Sequence, residues 1–424
     1  MKMWQQKISA GALQFAILIS VVIAVIVSAF ILLSYTQQQF ARQVNDSAKV
    51  LGLASSGFDY LKQKDITYGD SINFNLEGQE NESITLHKSH WGIYDKVVSV
   101  GSRNGLSKTK IALVGGRVDS KNRLALHMEE TNSPLVLVGN TLIQGNVVLP
   151  VRGVKPGSIS GDYFEGNELI DGEINSYETP KPQVPDVKLK YIEKLLFGSV
   201  GNQDNLYIRS TEKIMSSSFT TDSKWLYSPG VIDLKALKIE NNIIVKSDTL
   251  IRVFASTKAN NILLIAPNIE ISDNVQGTFQ AFASKSIITG ERTKLNYPSA
   301  LVLMQENGLS IDRKREQRGV ILGNNSLVLG GVFHFGKGND DYQRAMIHLS
   351  EGSLVRGEVY SDQTVELIGS VEGSVYTHQF ETKFKGSVYK NHLYNTTLST
   401  ENFPEVFTGV HTNVTDLNIL QWVY

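Results

Sequence analysis

The sequence predicts a mainly β protein that begins with one long transmembrane and stalk α-helix. A small antiparallel β region follows the helix, and a parallel β-helix with a short helical insertion fills most of the remaining chain. Three patterns support this fold class: a charge-free apolar run at residues 12–35, helically spaced apolar residues beyond it, and short β-branched runs separated by Gly-Asn corners.

The apolar run at residues 12–35 is long enough to span a membrane. As a helix it measures roughly 36 Å, and a bilayer core of about 30 Å needs about 20 apolar residues. Lys2 and Lys7 precede the run, and short positive flanks stay in the cytoplasm. We therefore expect a single-pass inner-membrane protein with its N-terminus inside and its C-terminal domain in the periplasm or on the cell surface. A cleaved secretory signal is the alternative, although its apolar region is usually only about 7–15 residues long.

Apolar residues continue at steps of three and four beyond the span. Such steps place their side chains on one face of a helix. We therefore predict a single helix from about Ala12 to about Lys62, apolar on all sides in its first half and amphipathic in its second. The predicted apolar face of the second half consists of Phe40, Val44, Ala48, Leu51, Ala54, Phe58 and Leu61.

Residues 7–35, KISAGALQFAILISVVIAVIVSAFILLSY, resemble the N-terminus of type IV pilins and minor pseudopilins. That resemblance implies a short basic leader, residues 1–11, which is cleaved between Gly11 and Ala12. Most pilins carry glutamate at the fifth mature position, where this chain has Ala16, and tip pseudopilins and some PilX-like minor pilins depart from the pattern there or at the first mature residue. An ordinary signal anchor with a stalk helix is the alternative.

The stalk helix is expected to occupy residues 36–64, and a small β-rich region residues 65–133. An Asn104-Gly105 pair, a strong hairpin signal, separates two of the β-rich runs. In a pilin-like head, such a sheet would cover the apolar face of the stalk helix. The predicted strands are Ile72–Leu76, Ile84–Leu86, Trp91–Val100 and Lys110–Val114.

Residues 134–392 are expected to form the parallel β-helix, with a β-sandwich as the alternative. Glycine and asparagine recur where corners need a left-handed backbone, and a motif of glycine, any residue, valine and an aromatic residue predicts inward-pointing valines. The G-x-V pattern also resembles that of bactofilins, polymer-forming β-helix proteins. The motif begins at Gly330, Gly357, Gly373 and Gly386, and its last three valines are Val359, Val375 and Val388.

An insertion at about residues 177–236 is expected to interrupt the β-helix. Its first part, Tyr177–Asp186, is rich in proline, and Asp186 is predicted to cap a short helix whose apolar face holds Leu189, Ile192, Leu195 and Leu196. Residues 393–424 lose the glycine pattern and are expected to form a C-terminal strand or cap that protects the open end of the β-helix.

The residues that carry chemistry are sparse. With no cysteine the chain has no disulfide or thiolate metal site, and its net charge of −1 does not imply nucleic acid as a partner. Asp340-Asp341 is the best carboxylate pair for glycoside hydrolysis, but its neighbours predict a solvated loop. His87 and His90 are expected to be a surface pair without a third ligand, and the charge run at residues 312–318 a solvated turn, with a lipid or polyanion patch as the alternative.

We therefore expect no catalytic, cofactor or metal site, and a structural function. The predicted protein is a membrane-anchored minor pilin-like or pseudopilin-like component of a secretion or pilus-type assembly, in contact with the membrane and with other pilin-like subunits or envelope proteins. Two alternatives remain: a surface adhesin or binding module for a surface ligand or glycan on a plain signal anchor, and a β-helical carbohydrate-active enzyme.

Overall fold

The computed structural model describes residues 10–62, 66–75, 81–199, 213–305, 318–336, 344–413 and 415–424. Asp340, Asp341 and all of the predicted charge run except Arg318 lie outside the described residues, as do Lys2, Lys7 and Leu76. The described chain forms two compact units: Met1–Tyr60 with Ser71–Leu86 and Ser99–Lys110, and Leu61–Asp70 with His87–Val98 and Ile111–Tyr424.

The first α-helix, α1, runs without interruption from Ala10 to Leu61 and confirms the prediction of one long helix. Towards its end, alternating steps of three and one residue place one face out of contact with water. Within the first unit, the Gly57 position lies against Ile84 and Leu86, and the backbone at Val50 lies against Gly101. The buried face consists of Val50, Leu53, Ala54, Gly57, Phe58 and Leu61.

The predicted apolar face of this helix is partly wrong. Ala54, Phe58 and Leu61 are buried as expected, but Phe40 and Val44 are 68% and 69% exposed, and Leu51 is exposed as well. The burial begins only at Val50. Periodicity alone therefore predicted a packed face that starts too early and points in a slightly different direction around the helix.

A six-stranded sheet includes the strands that follow α1. Asn104 and Gly105 adopt positive φ values of 49° and 80° and join two long strands, which confirms the predicted hairpin. The predicted strand Trp91–Val100 is partly wrong: residues 94–100 lie in a strand, but Gly92-Ile93 forms a second two-residue turn, and such short connections join antiparallel strands. The six strands are Ser71–Asn75, Glu82–Trp91, Tyr94–Arg103, Leu106–Arg117, Thr408–Gly409 and Asp416–Trp422.

A second, largely parallel set of strands holds most of the remaining residues. Many of its strands pair with the strand two further along the chain rather than with the next one. Its members are Leu124–Met128, Leu142–Gln144, Asn146–Val148, Ile174–Asn175, Ile214–Ser216, Lys224–Ser228, Ile232–Leu234, Lys238–Ser247, Leu250–Val253, Lys258–Ile271, Gln276–Thr289, Lys294–Met304, Gly319–Leu322, Leu327–Phe335, Ala345–Leu349, Leu354–Ser361, Thr364–Leu367, Ser370–Thr377, Gln379–Phe384, Ser387–Lys390 and Thr397–Ser399.

Two small β elements and one short helix complete the described structure. A three-stranded parallel sheet contains Leu135–Val138, Val154–Pro156 and His392–Tyr394, and an antiparallel pair contains Ser158–Ile159 and Asp162–Tyr163. A short 3-10 helix covers Ser120–Asn122.

The valines of the repeated motif form an inward column. Val332, Val359 and Val375 face one another in parallel register, and each is fully buried. Val388, which we expected in the same column, is 53% exposed. The chain reverses at Lys385-Gly386, so Ser387–Lys390 pairs antiparallel with the preceding strand and its valine leaves the column.

Glycine is required beside this column. Gly330, Gly357 and Gly373 lie in register with φ values of 138°, 147° and 135°, a backbone region that side chains disfavour. A Cβ on Gly357 would overlap the carbonyl oxygen of Gly330. The motif therefore combines a glycine that permits close backbone approach with a valine that fills the core.

The outer face of the parallel strands is also apolar and carries a second core. Leu263, Ile265 and Phe282 belong to it, and Ile192 and Leu195 of the second helix, α2 (Asp186–Phe197), pack there. The predicted helix is thus present. Asp186 does not cap it, because Pro185 occupies the cap position and makes no side-chain hydrogen bond, and Asp186 is the first helical residue.

Some strands lie in places that differ from those expected. Leu124–Met128, expected in the small β region, pairs in parallel with Asn146–Val148. Ile214–Ser216, expected in the insertion, pairs in parallel with Lys238–Ser247. The predicted C-terminal strand is present as Asp416–Trp422, and it pairs antiparallel with Leu106–Arg117.

Candidate functional site

The apolar half of α1 presents its side chains outward. Between Leu13 and Leu33 its large apolar side chains are 46% to 67% exposed. Among the described residues, α1 is the one helix long and apolar enough to cross a membrane, a test that an N-terminal signal sequence also passes. This helix is compatible with a membrane anchor, since a helix that is apolar on all sides is stable only in an apolar environment.

The predicted processing residues lie at the start of this helix. Gly11 and Ala12 are exposed in its first turn, and nothing lies within 4 Å of a Cβ added at Gly11. Ala16 is exposed one turn further on, and the first acidic residue of the chain is Asp46. Gly11 and Ala12 are therefore both exposed, and cleavage between them stays a prediction.

A buried ionic group in the second unit, here called the Asp95 cluster, was not predicted from the sequence. Its members are Tyr68, Lys88, His90, Asp95, Lys188 and Tyr191. The ammonium of Lys188 donates to the Asp95 carboxylate and, at 2.8 Å, to the carbonyl oxygen of Tyr94. The Lys88 Nζ lies 3.7 Å from Asp95 Oδ2, and the Tyr68 hydroxyl donates to that oxygen at 2.9 Å.

His90 belongs to this cluster and is not part of a surface pair, which corrects the prediction. Its ring stacks between Tyr68 and Tyr191, with centroid distances of 3.9 Å and 4.3 Å, and its side chain is 15% exposed. His87 is partly buried on the same strand. The two histidines are three residues apart in sequence, but only His90 belongs to the Asp95 cluster.

The cluster keeps its carboxylate ionised. Burial alone would raise the pKa of Asp95, but the charge of Lys188, the polar contact with His90, whose Nδ1 lies 3.7 Å from Asp95 Oδ1, and the charge of Lys88 together hold that pKa well below its usual range. Burial lowers the pKa of Lys188, and Asp95 offsets part of this effect. Because Lys188 comes from α2, the pair fixes this helix to the strands that carry Asp95.

Residues 177–198, here called the strap, are held by two further lysine contacts. The Lys181 Nζ lies 2.7 Å from Glu129 Oε1 and 3.0 Å from Asp362 Oδ1, and it sits over the Tyr360 ring. The ammonium of Lys246, on the strand Lys238–Ser247, donates to the Leu195 carbonyl oxygen at 2.8 Å and to the Gly198 carbonyl oxygen. Lys181, Lys188 and Lys246 thus hold both ends and the middle of the strap against other parts of the second unit.

Two buried carboxylates lie in register on neighbouring strands. Glu366 faces Glu381, and both are at most 3% exposed. Lys383 bridges them at 2.9 Å and 2.8 Å, and His348 contacts Glu366 at 2.9 Å. Burial would raise the pKa of Glu366, but the hydrogen bonds of His348 and Lys383 lower it instead. Glycoside hydrolysis needs one carboxyl that stays protonated, and Glu366 has the opposite tendency.

In the part of the chain that the structure describes, no group of three or more His, Asp or Glu side chains has the arrangement of a metal site. The absence of an enzymatic function stays a prediction. The carboxylate pair of Glu366 and Glu381 was missed because its members are separated in sequence and share only a strand register.

No protein-family model and no curated protein matches this chain. Among solved structures, the chain is similar to the competence-associated pilin ComZ from Thermus thermophilus at 9% identity. The alignment covers 89% of this chain and 96% of that chain, with a TM-score of 0.19, which is too low to establish a common fold.

Proposed function

We propose that this protein is a membrane-anchored, pilin-like structural subunit of an extracytoplasmic assembly, of the minor pilin or pseudopilin type. The observation that carries this proposal is the single helix Ala10–Leu61. Its first half is apolar and fully outward-facing, and its last turns pack against strands of the first unit. A plain signal anchor does not need this continuity between the spanning segment and the packed segment.

The head, in this proposal, is a parallel β-helix. Two alternating ladders support it: Lys294–Met304, Leu327–Phe335 and Leu354–Ser361 pair successively in one, and Gly319–Leu322 and Ala345–Leu349 in the other. Strands that alternate between two ladders along the chain are the pattern of a coil that returns to each face once per turn.

The membrane and other pilin-like subunits are the proposed partners. The apolar segment 12–35 would pack among equivalent helices in the inner membrane, with the head outside the cytoplasm, in keeping with the positive flank of Lys2 and Lys7. Secretion or pilus assembly is the process in which such a subunit would act.

Determination of the mature N-terminus tests the proposal. The full chain is co-expressed with a type IV leader peptidase, and we expect the mature protein to begin at Ala12. Gly11→Leu should block cleavage, whereas Gly52→Leu, a change at another exposed glycine of the same helix, should not. A chain that keeps residues 1–11 in the presence of the peptidase would exclude the pilin-like role and favour the plain anchor.

A further inference from the structure

Residues 403–410, here called the C-terminal segment, are held on the second unit by three side chains that bind its backbone. Arg123 donates to the carbonyl oxygens of Pro404 and Glu405 at 3.0 Å and 3.3 Å. The Tyr297 hydroxyl donates to the Thr408 carbonyl at 2.7 Å. At the end of the segment, the backbone N–H of Val410 donates to Glu358 Oε2 at 2.9 Å.

Glu358 is the one of these three side chains that can lose a proton near neutral pH. It lies between Gly331 and Ser374 in the parallel register, two small residues that leave room for its carboxyl. Gly409 covers it so closely that a Cβ there would overlap the carboxyl group. The two cavities that Glu358 lines hold only about 10 Å³ each, which is about one water molecule.

Among the residues that the structure describes, few groups are placed to stabilise a negative charge at this position. Arg123 is the cation that acts on Glu358, and the Val410 N–H is its hydrogen-bond donor. Tyr94, Tyr297 and Tyr376 also face the carboxyl, and their pKa values are raised by burial, so they stay neutral at physiological pH. Burial raises the pKa of Glu358 from 4.5 to about 7, and the Val410 N–H and Arg123 offset only part of the effect.

We propose that Glu358 is a proton-controlled latch, whose neutral carboxyl holds the C-terminal segment closed and whose ionised form favours its release. Release would separate the ring of Phe407, which belongs to the segment, from the ring of Tyr297 against which it packs. The latch is a property of the head alone and does not depend on the proposed pilin-like function.

The sign of the pH effect follows from the two states of the carboxyl. Opening exposes Glu358 to water and returns its pKa to about 4.5, whereas the closed state holds it at about 7. Between these values each pH unit therefore favours opening by about tenfold. The closed state is most stable below pH 4.5, loses stability as the pH rises towards 7, and changes little above that.

Hydrogen exchange of the full chain in detergent micelles, from pH 5 to pH 8 and corrected for intrinsic exchange rates, tests the latch. We expect the protection of peptides that cover residues 403–410 to fall by roughly one to two orders of magnitude over this range. Glu358→Gln removes the titratable carboxyl but keeps a hydrogen-bond acceptor. In this variant, the protection of the peptides that cover residues 403–410 should therefore be independent of pH.

Two matched changes control for other titrating groups. Glu372→Gln alters a glutamate on the next strand that is paired with Arg356, and His411→Gln alters the histidine beside Val410 that bonds to Thr415. Both should keep the wild-type response. The latch is wrong if Glu358→Gln also shows the wild-type fall in protection with rising pH. It is equally wrong if the strand Lys258–Ile271 loses protection to the same extent, because the unfolding is then global.

An infrared titration of the wild-type chain, with labelled glutamate carboxyls, covers the case in which Glu358→Gln does not fold. A protonated carboxyl band that disappears near pH 7 supports the latch. The absence of any glutamate that titrates between pH 6 and pH 8 would overturn it.

Discussion

Val359 and Val375 lie directly opposite each other on neighbouring parallel strands, and no part of either residue reaches water. Val375→Asp would place a charge in this column without a partner, which the chain avoids only by local unfolding or by a large pKa shift. We expect a loss of several kcal/mol and a clear fall in the thermal midpoint of the full chain in detergent. Val388→Asp, in the same sequence motif but at an exposed position, should change the midpoint little. Equal effects of the two changes would contradict the column.

Lys188 is expected to stabilise the strap through Asp95. Lys188→Met removes one partner of a buried ion pair and leaves the other, which typically costs about 3–5 kcal/mol. Lys190→Met on the same helix, at an exposed position, should cost less than about 0.5 kcal/mol. Chemical denaturation of both variants measures the difference, and a cost below about 1 kcal/mol for Lys188→Met would show that the pair contributes little.

Glu129 is expected to contribute to stability in a defined pH range. Burial would raise its pKa, but hydrogen bonds with His378 and Lys181 lower it from 4.5 to about 2. A lowered folded-state pKa stabilises the protein above pH 4.5, and the contribution is lost as the pH falls towards 2. Because the side chain is 35% exposed, we expect only about 1–2 kcal/mol.

Denaturation of Glu129→Gln at several pH values measures this contribution. The variant should differ most from the wild type above pH 5, and the two should converge near pH 2. The exposed Glu165→Gln serves as the control and should follow the wild type throughout. A difference that stays constant with pH would assign the effect of Glu129 to packing rather than to its charge.

Two glycines of α1 should respond in opposite directions to the same change. Gly52→Ala meets nothing within 4 Å and should stabilise the helix by about 1 kcal/mol. Gly57→Ala would overlap Ser99 and crowd Leu86 and Ile84, and overpacking of this kind costs about 1–3 kcal/mol. Denaturation followed by helical circular dichroism distinguishes the two, and a gain from both changes would show that the helix does not pack on these strands.

Much of the local structure was predictable because it depends on neighbours in sequence. The uninterrupted helix follows from apolar spacing without proline, and the Asn104-Gly105 hairpin follows from two residues that tolerate positive φ. Both features are decided within a few residues, so the sequence pattern and the structure agree.

The Asp95 cluster was not predictable, since its partners are remote in sequence. The sequence pattern predicts that Lys188 is a solvated residue of an amphipathic helix. Asp95 lies 93 positions earlier, where the pattern predicts only a strand residue. Val388 was misplaced for a related reason: its motif matches that of Val375, but the direction of its strand depends on a reversal that the motif does not encode. Local patterns predict which elements form, and long-range pairing decides which side chains they bury.

The valine column also bears on how this chain tolerates changes in length. Unequal lengths of chain separate Val332 from Val359 and Val359 from Val375, yet all three occupy one register. Connecting loops can therefore grow, shrink or accept a foreign epitope without moving the strands that flank them, because closing a longer loop costs little. A deletion of one residue inside Leu354–Ser361 has a different outcome, since it turns every following side chain of that strand to the opposite face.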